Sequence, residues 1–260
     1  MRTAGTHSTT SDSNKGIPAT NGARHLARMR VRLLLCTAAA AAAPAWLREP
    51  GASCLPDPFE GLNDVARENA EIAATALDAT TVWMLDAADA ARFDHARAAT
   101  FGHITAGGAH ALLAAARRLA GRPVKRLVDL GSGAGHVVIY AAALAPNVTA
   151  EGHELAAGRH RAAVRARAAL PPSIARRCAF VEGDMLRADL SRADVVFAST
   201  LALGEELRSQ LAEKLAKEVL PGAVVFSSTR LLGGPGDRPN VVAPMSWSPG
   251  HEVAAHVVGA

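Results

Sequence analysis

Short apolar runs of strand length alternate with longer helical patterns from residue 124 towards the end of the chain. The strand-like runs are residues 124–130, 147–151, 178–182, 194–199 and 223–229. The stretches between them have the longer spacing of helices, at residues 136–144, 156–170 and 205–219. Strands that alternate with helices predict a parallel sheet joined by right-handed crossovers.

The C-terminal part of the chain breaks this alternation. A Gly/Pro-rich loop at 233–239 is followed by two β-like runs, VVAPMSWS and EVAAHVV, which flank a Pro-Gly turn. Two such runs around a turn predict an antiparallel hairpin at the sheet edge. We therefore predict a Rossmann-like, doubly wound α/β fold. Its mostly parallel, seven-stranded sheet ends in a C-terminal antiparallel hairpin and is preceded by a small helical segment.

Two helical regions are predicted upstream of the sheet. Residues 60–96 predict one helix or a pair of helices, with Asn63 as the first N-cap. A further helix is predicted to begin after Thr105 and to stop at Gly121. Asn and Thr side chains accept hydrogen bonds from the free N–H groups of a first turn, and glycine ends helices readily.

The first 50 residues differ in composition from the rest. Residues 1–28 have no hydrophobic period and predict disorder. Residues 29–47 join a basic flank to an apolar, alanine-rich stretch, which resembles a targeting sequence; the alternative is an alanine-rich linker. We divide the chain into a disordered or targeting-like segment at 1–50, a helical part at 51–122 and the sheet-forming domain at 123–260.

Charge follows the same division. The whole chain has a net charge of +4, but the first 50 residues contribute +5 and the remainder has −1. The body of the protein is therefore not a general binder of polyanions by charge alone. The apolar stretch is too short and too alanine-rich to predict a membrane span. A targeting role for it would direct the protein to an organelle or the secretory pathway.

The sequence DLGSGAGH joins the first predicted strand to the following helix. Glycines at such a turn let the chain bend sharply and let a ligand approach the backbone. A dinucleotide fingerprint needs a sixth-position glycine, where this chain has His136, so we do not expect that fingerprint's close helix–strand contact. Asp129, two residues before the first glycine, disfavours a phosphate and suits a ligand with an amino group.

Two further acids follow the next two predicted strands. Glu154 comes after the second strand, where a carboxylate accepts hydrogen bonds from both ribose hydroxyls. Asp184 follows the third strand, where it is suited to accept from an adenine amine. The order acid, glycine turn, ribose acid and adenine acid resembles the class I S-adenosylmethionine-dependent methyltransferases. This resemblance implies S-adenosyl-L-methionine as cofactor, no metal, and a methyltransferase domain at 123–260.

Four segments resemble a narrower family, the Dot-type non-SET histone-lysine methyltransferases, over roughly residues 99–258. They are TFGHITAGGAHALL, DLGSGAGHVV, VVFASTLALGEELRSQLAEKL and PMSWSPGHEVAAHVV. The resemblance implies methyl transfer to a protein lysine amine, in a core histone or nucleosome. It also implies a chromatin regulator in the nucleus.

The same resemblance implies the site residues. Ser199 and Trp247 are expected at the mouth of the lysine channel, and Met185 on the adenine face. Phe101 and Thr105 are expected by the methionine end of the cofactor. The full set of expected cofactor contacts is Phe101, Thr105, Asp129, Gly131, Ser132, Gly133, Gly135, His136, Glu154, Asp184 and Met185.

Departures from the family pattern leave other functions open. Phe101 and His103 stand where the family has Tyr and Glu, and no role is predicted for His103. Ser199 and Thr200 stand where it has paired asparagines. One alternative is a methyltransferase for a non-histone protein lysine in an organelle, which the targeting-like N-terminus favours. Another is a non-catalytic binding protein that has kept the cofactor fold, which the lost Glu and Asn favour.

Arginines are frequent in the predicted helix at 156–170 and just after it. We interpret them as a solvated face; the alternative is a surface for a nucleosome or nucleic acid.

Overall fold

The structure is a computed structural model that describes residues 59, 62–78, 87–91 and 102–259 of the 260-residue chain. The predictions for the first 50 residues and for Phe101 lie outside the described residues. Within these described ranges, seven α-helices precede or connect the strands. They are α1 (Asp64–Asp78), α2 (Ala87–Ala90), α3 (Ala106–Ala120), α4 (His136–Leu144), α5 (Ala157–Ala168), α6 (Pro172–Ala175) and α7 (Glu205–Glu218).

Seven strands form one sheet in the order β3-β2-β1-β4-β5-β7-β6. The first five pair in parallel, and β7 pairs antiparallel with both β5 and β6. This confirms the predicted α/β fold with its antiparallel C-terminal pair. The strands are β1 (Arg126–Leu130), β2 (Thr149–Glu154), β3 (Cys178–Glu182), β4 (Val195–Ala198), β5 (Val224–Ser227), β6 (Asp237–Val242) and β7 (Glu252–Val257).

Alternate residues of the buried strands face two separate cores. Leu127 of β1 packs in the core that contains residues from α1, α3 and α4. Val128 and Leu130, on the other face, pack with Leu211 and Leu215 of α7. Burial of β1 on both faces explains its almost continuous apolar sequence, which is typical of parallel sheets.

The start of α1 and both ends of α3 have the capping residues that the sequence predicts. The Ala66 N–H donates to Oδ1 of Asn63 at 2.9 Å, just at the start of α1. The Gly108 N–H donates to Oγ1 of Thr105 at 3.1 Å, and Gly121 ends α3 with φ +62°. In the described part of the chain, no helix has both the length and the apolar character needed to cross a bilayer.

The outer strand of the terminal hairpin differs from the prediction. It lies at Asp237–Val242, so it begins within the predicted Gly/Pro-rich loop and includes only the first two residues of the run VVAPMSWS, while MSWS lies in the connection to β7. The pairing register of β6 with β7 shifts between Arg238 and Val241, in the interval that contains Pro239. Proline is tolerated here because β6 is an edge strand, where the missing N–H and the irregularity cost little.

Candidate functional site

The acids and glycines singled out in the sequence lie at one edge of the sheet, where the parallel strands end. β1 is flanked by β2 on one side and β4 on the other, so the connections leaving these strands run in opposite directions. Ligands of doubly wound folds bind outside the carboxyl ends of strands at such a point. The glycine loop follows β1, and Glu154 is the last residue of β2.

The glycine loop uses backbone conformations that other residues rarely adopt. Gly131, Gly133 and Gly135 have φ of +84°, +55° and +91°. The N–H groups of Gly131 and Ser132 both donate to the carbonyl oxygen of His153 at 2.9 Å. The Gly135 N–H donates to the Ser132 carbonyl oxygen, also at 2.9 Å. Because these three N–H groups already have partners in β2 or in the loop, they are not available to a phosphate.

Gly135 and Gly152 pack closely against their neighbours, and neither is the sixth-position glycine of the dinucleotide fingerprint. A Cβ on Gly135 would lie 2.7 Å from Cζ of Phe180 and 3.1 Å from Cβ of Ala163. A Cβ on Gly152 would lie 2.6 Å from the Cβ of Ser132. Gly135, at the fifth position of the motif, thus packs against β3 and α5, a contact that the sequence analysis did not predict.

Two buried carboxyls flank the loop. Asp129 and Glu154 are 2% and 5% exposed. The Glu154 carboxylate accepts from the Gly133 N–H at 2.7 Å and from the Ala156 N–H at 2.8 Å. Burial, and then the charge of Glu154, raise the pKa of Asp129 well above its ordinary value. Burial also raises the pKa of Glu154, although its two backbone hydrogen bonds act in the opposite direction.

This arrangement favours a ligand that carries hydrogen-bond donors and positive charge. Two carboxylates held together out of water destabilise each other, and a cationic or hydroxyl-bearing ligand relieves that cost. A carboxylate has about four lone-pair positions, so Glu154 retains capacity for hydroxyl donors beside its two backbone bonds.

Asp184 and Met185, the residues predicted to bind adenine, follow β3, and Met185 lies beside the glycine loop. Asp184 caps one turn of 3₁₀ helix at Met185–Arg187, with Oδ1 accepting from the Leu186 N–H at 2.9 Å. The Met185 methyl group stands 3.5 Å from where a Cβ of Gly131 would be. The half-buried thioether side chain therefore covers the first glycine and offers an apolar surface next to it.

His136, the first residue of α4, makes a contact that the sequence did not reveal. Its ring stacks on that of His103, with centroids 3.9 Å apart and an interplanar angle of 16°. Burial lowers the pKa of His103 to about 4, and burial together with His103 lowers the pKa of His136. Both rings are thus neutral at physiological pH. His103, for which no role was predicted, is part of the site wall.

The segment before α3 pairs with the connection between β6 and β7. The Thr105 N–H and hydroxyl both donate to the Pro244 carbonyl oxygen, at 3.1 and 3.0 Å. The His103 N–H donates to Oγ of Ser246 at 3.1 Å. A Cβ on Gly102 would lie 2.3 Å from the Trp247 ring. We call residues 102–105 and 244–248 the paired wall.

The two residues predicted at the channel mouth differ in their surroundings. Trp247 is 47% exposed and meets His251 edge-on, with ring centroids 5.5 Å apart. Ser199 follows β4 and is exposed, while the next residue, Thr200, is buried and hydrogen-bonded to Thr229. Trp247 therefore belongs to the paired wall, and Ser199 lies at the carboxyl end of the neighbouring strand.

Ser132 of the glycine loop gives a further indication that S-adenosylmethionine fits this site. Oγ of Ser132 is buried and has no hydrogen-bond partner among the described residues. A buried hydroxyl of this kind costs free energy unless a ligand satisfies it. Together with the paired carboxyls and Met185, it fits a polar ligand with an amino group, hydroxyls and a flat apolar part. No group of three or more His, Cys, Asp or Glu side chains within the described ranges is arranged to hold a metal ion.

The arginine-rich segment does not form one continuous solvated face. Arg159 is only 6% exposed and interacts electrostatically with Glu154 and Asp89. Arg177 donates to the carbonyl oxygens of Ala142 and Ala145, near the end of α4. Arginines such as Arg161 and Arg165 are exposed. The interpretation as a solvated face holds for these exposed arginines and is wrong for Arg159.

Residues 81–206, just under half of the chain, match the model of an O-methyltransferase domain. A search of curated proteins found no match to the chain.

Solved structures of methyltransferases are similar to this chain at low TM-scores. An RNA methyltransferase from Salinibacter ruber with S-adenosyl-L-homocysteine is 26% identical, with TM-score 0.43, over 56% of this chain and 90% of that one. The glycopeptide N-methyltransferase MtfA with sinefungin is 25% identical, with TM-score 0.40, over 46% and 53%. A methyltransferase from Geobacter sulfurreducens is 26% identical, with TM-score 0.37, over 48% of each chain. The chain thus spans about half the length of the second and third.

The strand order and the buried carboxyls beside the glycine loop agree with the resemblance to class I S-adenosylmethionine-dependent methyltransferases, and the matched model describes a methyltransferase domain. The expectation of the Dot-type histone family gains no support, because the matched model describes O-methyltransferases.

Proposed function

We propose that the protein transfers a methyl group from S-adenosylmethionine to an amine or hydroxyl held between the glycine loop and the paired wall. The observation that carries this proposal is the pair of buried carboxyls, Asp129 and Glu154, on either side of a loop whose N–H groups at positions 131–133 already donate to β2. Such a site suits a ligand with an ammonium group and hydroxyls.

Each site residue has a distinct binding role in this proposal. Asp129 attracts the amino group of the methionine part, and Glu154 accepts from the ribose hydroxyls. Asp184 and Met185 bind the adenine by a hydrogen bond and by apolar contact. Ser132 provides the buried hydroxyl that completes the polar contacts. When bound, the cofactor supplies a sulfonium methyl group, which is open to in-line displacement.

In this proposal the paired wall orients the acceptor, and the stacked histidines keep the site free of added positive charge. Because the pKa values of His103 and His136 are lowered, these rings add no positive charge that would oppose binding of a cationic cofactor. Half-exposed Trp247 gives an apolar surface on which an acceptor is oriented. A water-poor channel lowers the pKa of a lysine and so favours its neutral, nucleophilic form. Positioning of this kind needs no dedicated base.

A protein lysine is the acceptor that the Dot-type resemblance implies. The two resembling segments that include FGHIT and PMSWS contact each other through Thr105 and Pro244, which supports a common acceptor wall. A histone acceptor would place the protein in the nucleus. A non-histone acceptor would agree with the targeting-like N-terminus and an organelle.

A hydroxyl acceptor is the second candidate, and the match to an O-methyltransferase domain favours it. The same wall would then hold a small molecule, with Trp247 and His251 as its flat surfaces.

The test is methyl transfer by the full chain from methyl-labelled S-adenosylmethionine. Parallel reactions would contain nucleosomes, free core histones, a mixed protein extract and a panel of small phenols and alcohols. Glu154→Ala serves as the control that lacks the ribose acid. Label on lysine supports the first candidate, and label on a hydroxyl supports the second. Binding of the cofactor with no transfer to any acceptor would favour the non-catalytic alternative.

A further inference from the structure

A short helix distant in sequence reaches the turn between β2 and α5. Asp89 of α2 is 3% exposed, and its two carboxylate oxygens accept from the N–H groups of Ala157 and Gly158, at 2.8 and 2.7 Å. These are the first two residues of α5, whose own N-cap residue, Ala156, makes no side-chain capping bond. Asp89 thus supplies the cap that the local sequence lacks.

Glu154 binds the N–H group just before those two. Its Oε1 accepts from the Ala156 N–H at 2.8 Å, and its Oε2 accepts from the Gly133 N–H at 2.7 Å. Three successive amides, at positions 156–158, are therefore divided between two carboxylates. The N-terminus of a helix attracts negative charge, so any of these amides is a favourable partner for either carboxylate.

Arg159 completes the cluster on the other side. It is 6% exposed, and the negative charges of Glu154 and Asp89 counteract the lowering of its pKa by burial. One buried cation thus partly offsets two buried anions. Loss of Asp89 would leave the Ala157 and Gly158 N–H groups without their acceptor, right beside Glu154.

We propose that Asp89 is a positioning residue for cofactor binding: by occupying the Ala157 and Gly158 amides, it keeps the Glu154 carboxylate directed at the ribose hydroxyls. The inference rests on the proposed function, because it assigns Glu154 to the ribose. Without Asp89, Glu154 turns towards the freed amides and is less available to a ligand. The N-terminal helical part of the chain thereby controls the affinity of the site.

The experiment compares two ligands by calorimetry on the full chain. S-Adenosylhomocysteine carries both ribose hydroxyls, and its 2′,3′-dideoxy analogue carries neither. We expect Asp89→Ala to weaken binding of S-adenosylhomocysteine about tenfold, the loss of roughly one hydrogen bond to a charged group. Binding of the dideoxy analogue should change less than about twofold. The matched control is Asp189→Ala, which removes an exposed acid whose Oδ1 accepts from the Ser191 N–H.

Asp89→Asn is a second variant for the case that Asp89→Ala does not fold. Its amide retains one acceptor oxygen and nearly the same shape. It should show the same selective loss, smaller in size. An equal loss for both ligands, or no loss in either variant, would overturn the inference and leave Asp89 as a helix cap only. If the wild-type chain fails to bind S-adenosylhomocysteine, the proposed function itself fails, and the inference with it.

Discussion

Gly135→Ala tests the packing of the glycine loop, and its cost can be worked out from the structure. Gly135 has φ +91°, in the left-handed region. An added Cβ would lie 2.7 Å from Cζ of Phe180 and 3.1 Å from Cβ of Ala163. The phenyl ring and the α5 methyl group would both have to move. The substitution therefore combines backbone strain with a steric clash.

Substitution of a second glycine, Gly121, separates the cost of the backbone strain from the cost of the steric clash. The left-handed conformation costs a residue with a Cβ about 1–2 kcal/mol. Overpacking a well-filled site costs about 1–3 kcal/mol more. Gly121, at the end of α3, has φ +62° but nothing within 4 Å of an added Cβ, so Gly121→Ala has only the first cost. We expect Gly135→Ala to lower the free energy of unfolding by about 1–3 kcal/mol more than Gly121→Ala.

The assay is urea unfolding of the full chain for wild type, both alanine variants and each alanine variant combined with Phe180→Leu. The smaller side chain should recover part of the Gly135→Ala cost, because the clash is with the Phe180 ring, and none of the Gly121→Ala cost. Equal costs for the two glycine substitutions would refute the reasoning. So would a Gly135→Ala cost that Phe180→Leu leaves unchanged.

Three further predictions concern the buried acids and the paired wall. Burial raises the pKa of Asp129 in the folded protein above 3.8, the ordinary pKa that this group has in the unfolded chain. The folded protein therefore loses stability as the pH rises from 3.8 through the raised pKa. Asp129→Asn should then stabilise the ligand-free protein at neutral pH by about 1 kcal/mol in urea unfolding, while weakening cofactor binding. Affinity for S-adenosylhomocysteine, measured by calorimetry, should rise with pH until Asp129 and Glu154 are ionised, and an affinity that falls over this range would contradict their roles. Gly102→Ala, whose Cβ would lie 2.3 Å from the Trp247 ring, should raise the acceptor KM in a transfer assay and leave cofactor affinity within about twofold.

Parts of the fold that depend on local pattern were predictable. The parallel strands were found because buried strands read as short apolar runs, and α3 because Thr105 and Gly121 are strong end signals. β6 was misplaced because Pro239 in a Gly/Pro-rich stretch indicates a loop, and its edge position is set only by tertiary structure.

The site was predictable where it follows the order of strands and turns. The positions of Asp129 and Glu154 follow from parallel strands that end at the same edge. The stack of His103 on His136 and the cap that Asp89 gives to α5 join residues far apart in sequence. No spacing rule connects such positions, because their proximity depends on how the upstream helices pack against the sheet.

The most direct test of the central claim is a calorimetric titration of the full chain with S-adenosylhomocysteine. It would compare wild type, Asp129→Asn and Glu154→Gln, with Asp189→Asn as the control at an exposed acid. The account predicts binding by wild type and control, and losses of at least about tenfold in both site variants, since each loses a charged partner of the ligand. No binding by folded wild type, or binding that neither site substitution weakens, would contradict a cofactor site between Asp129 and Glu154.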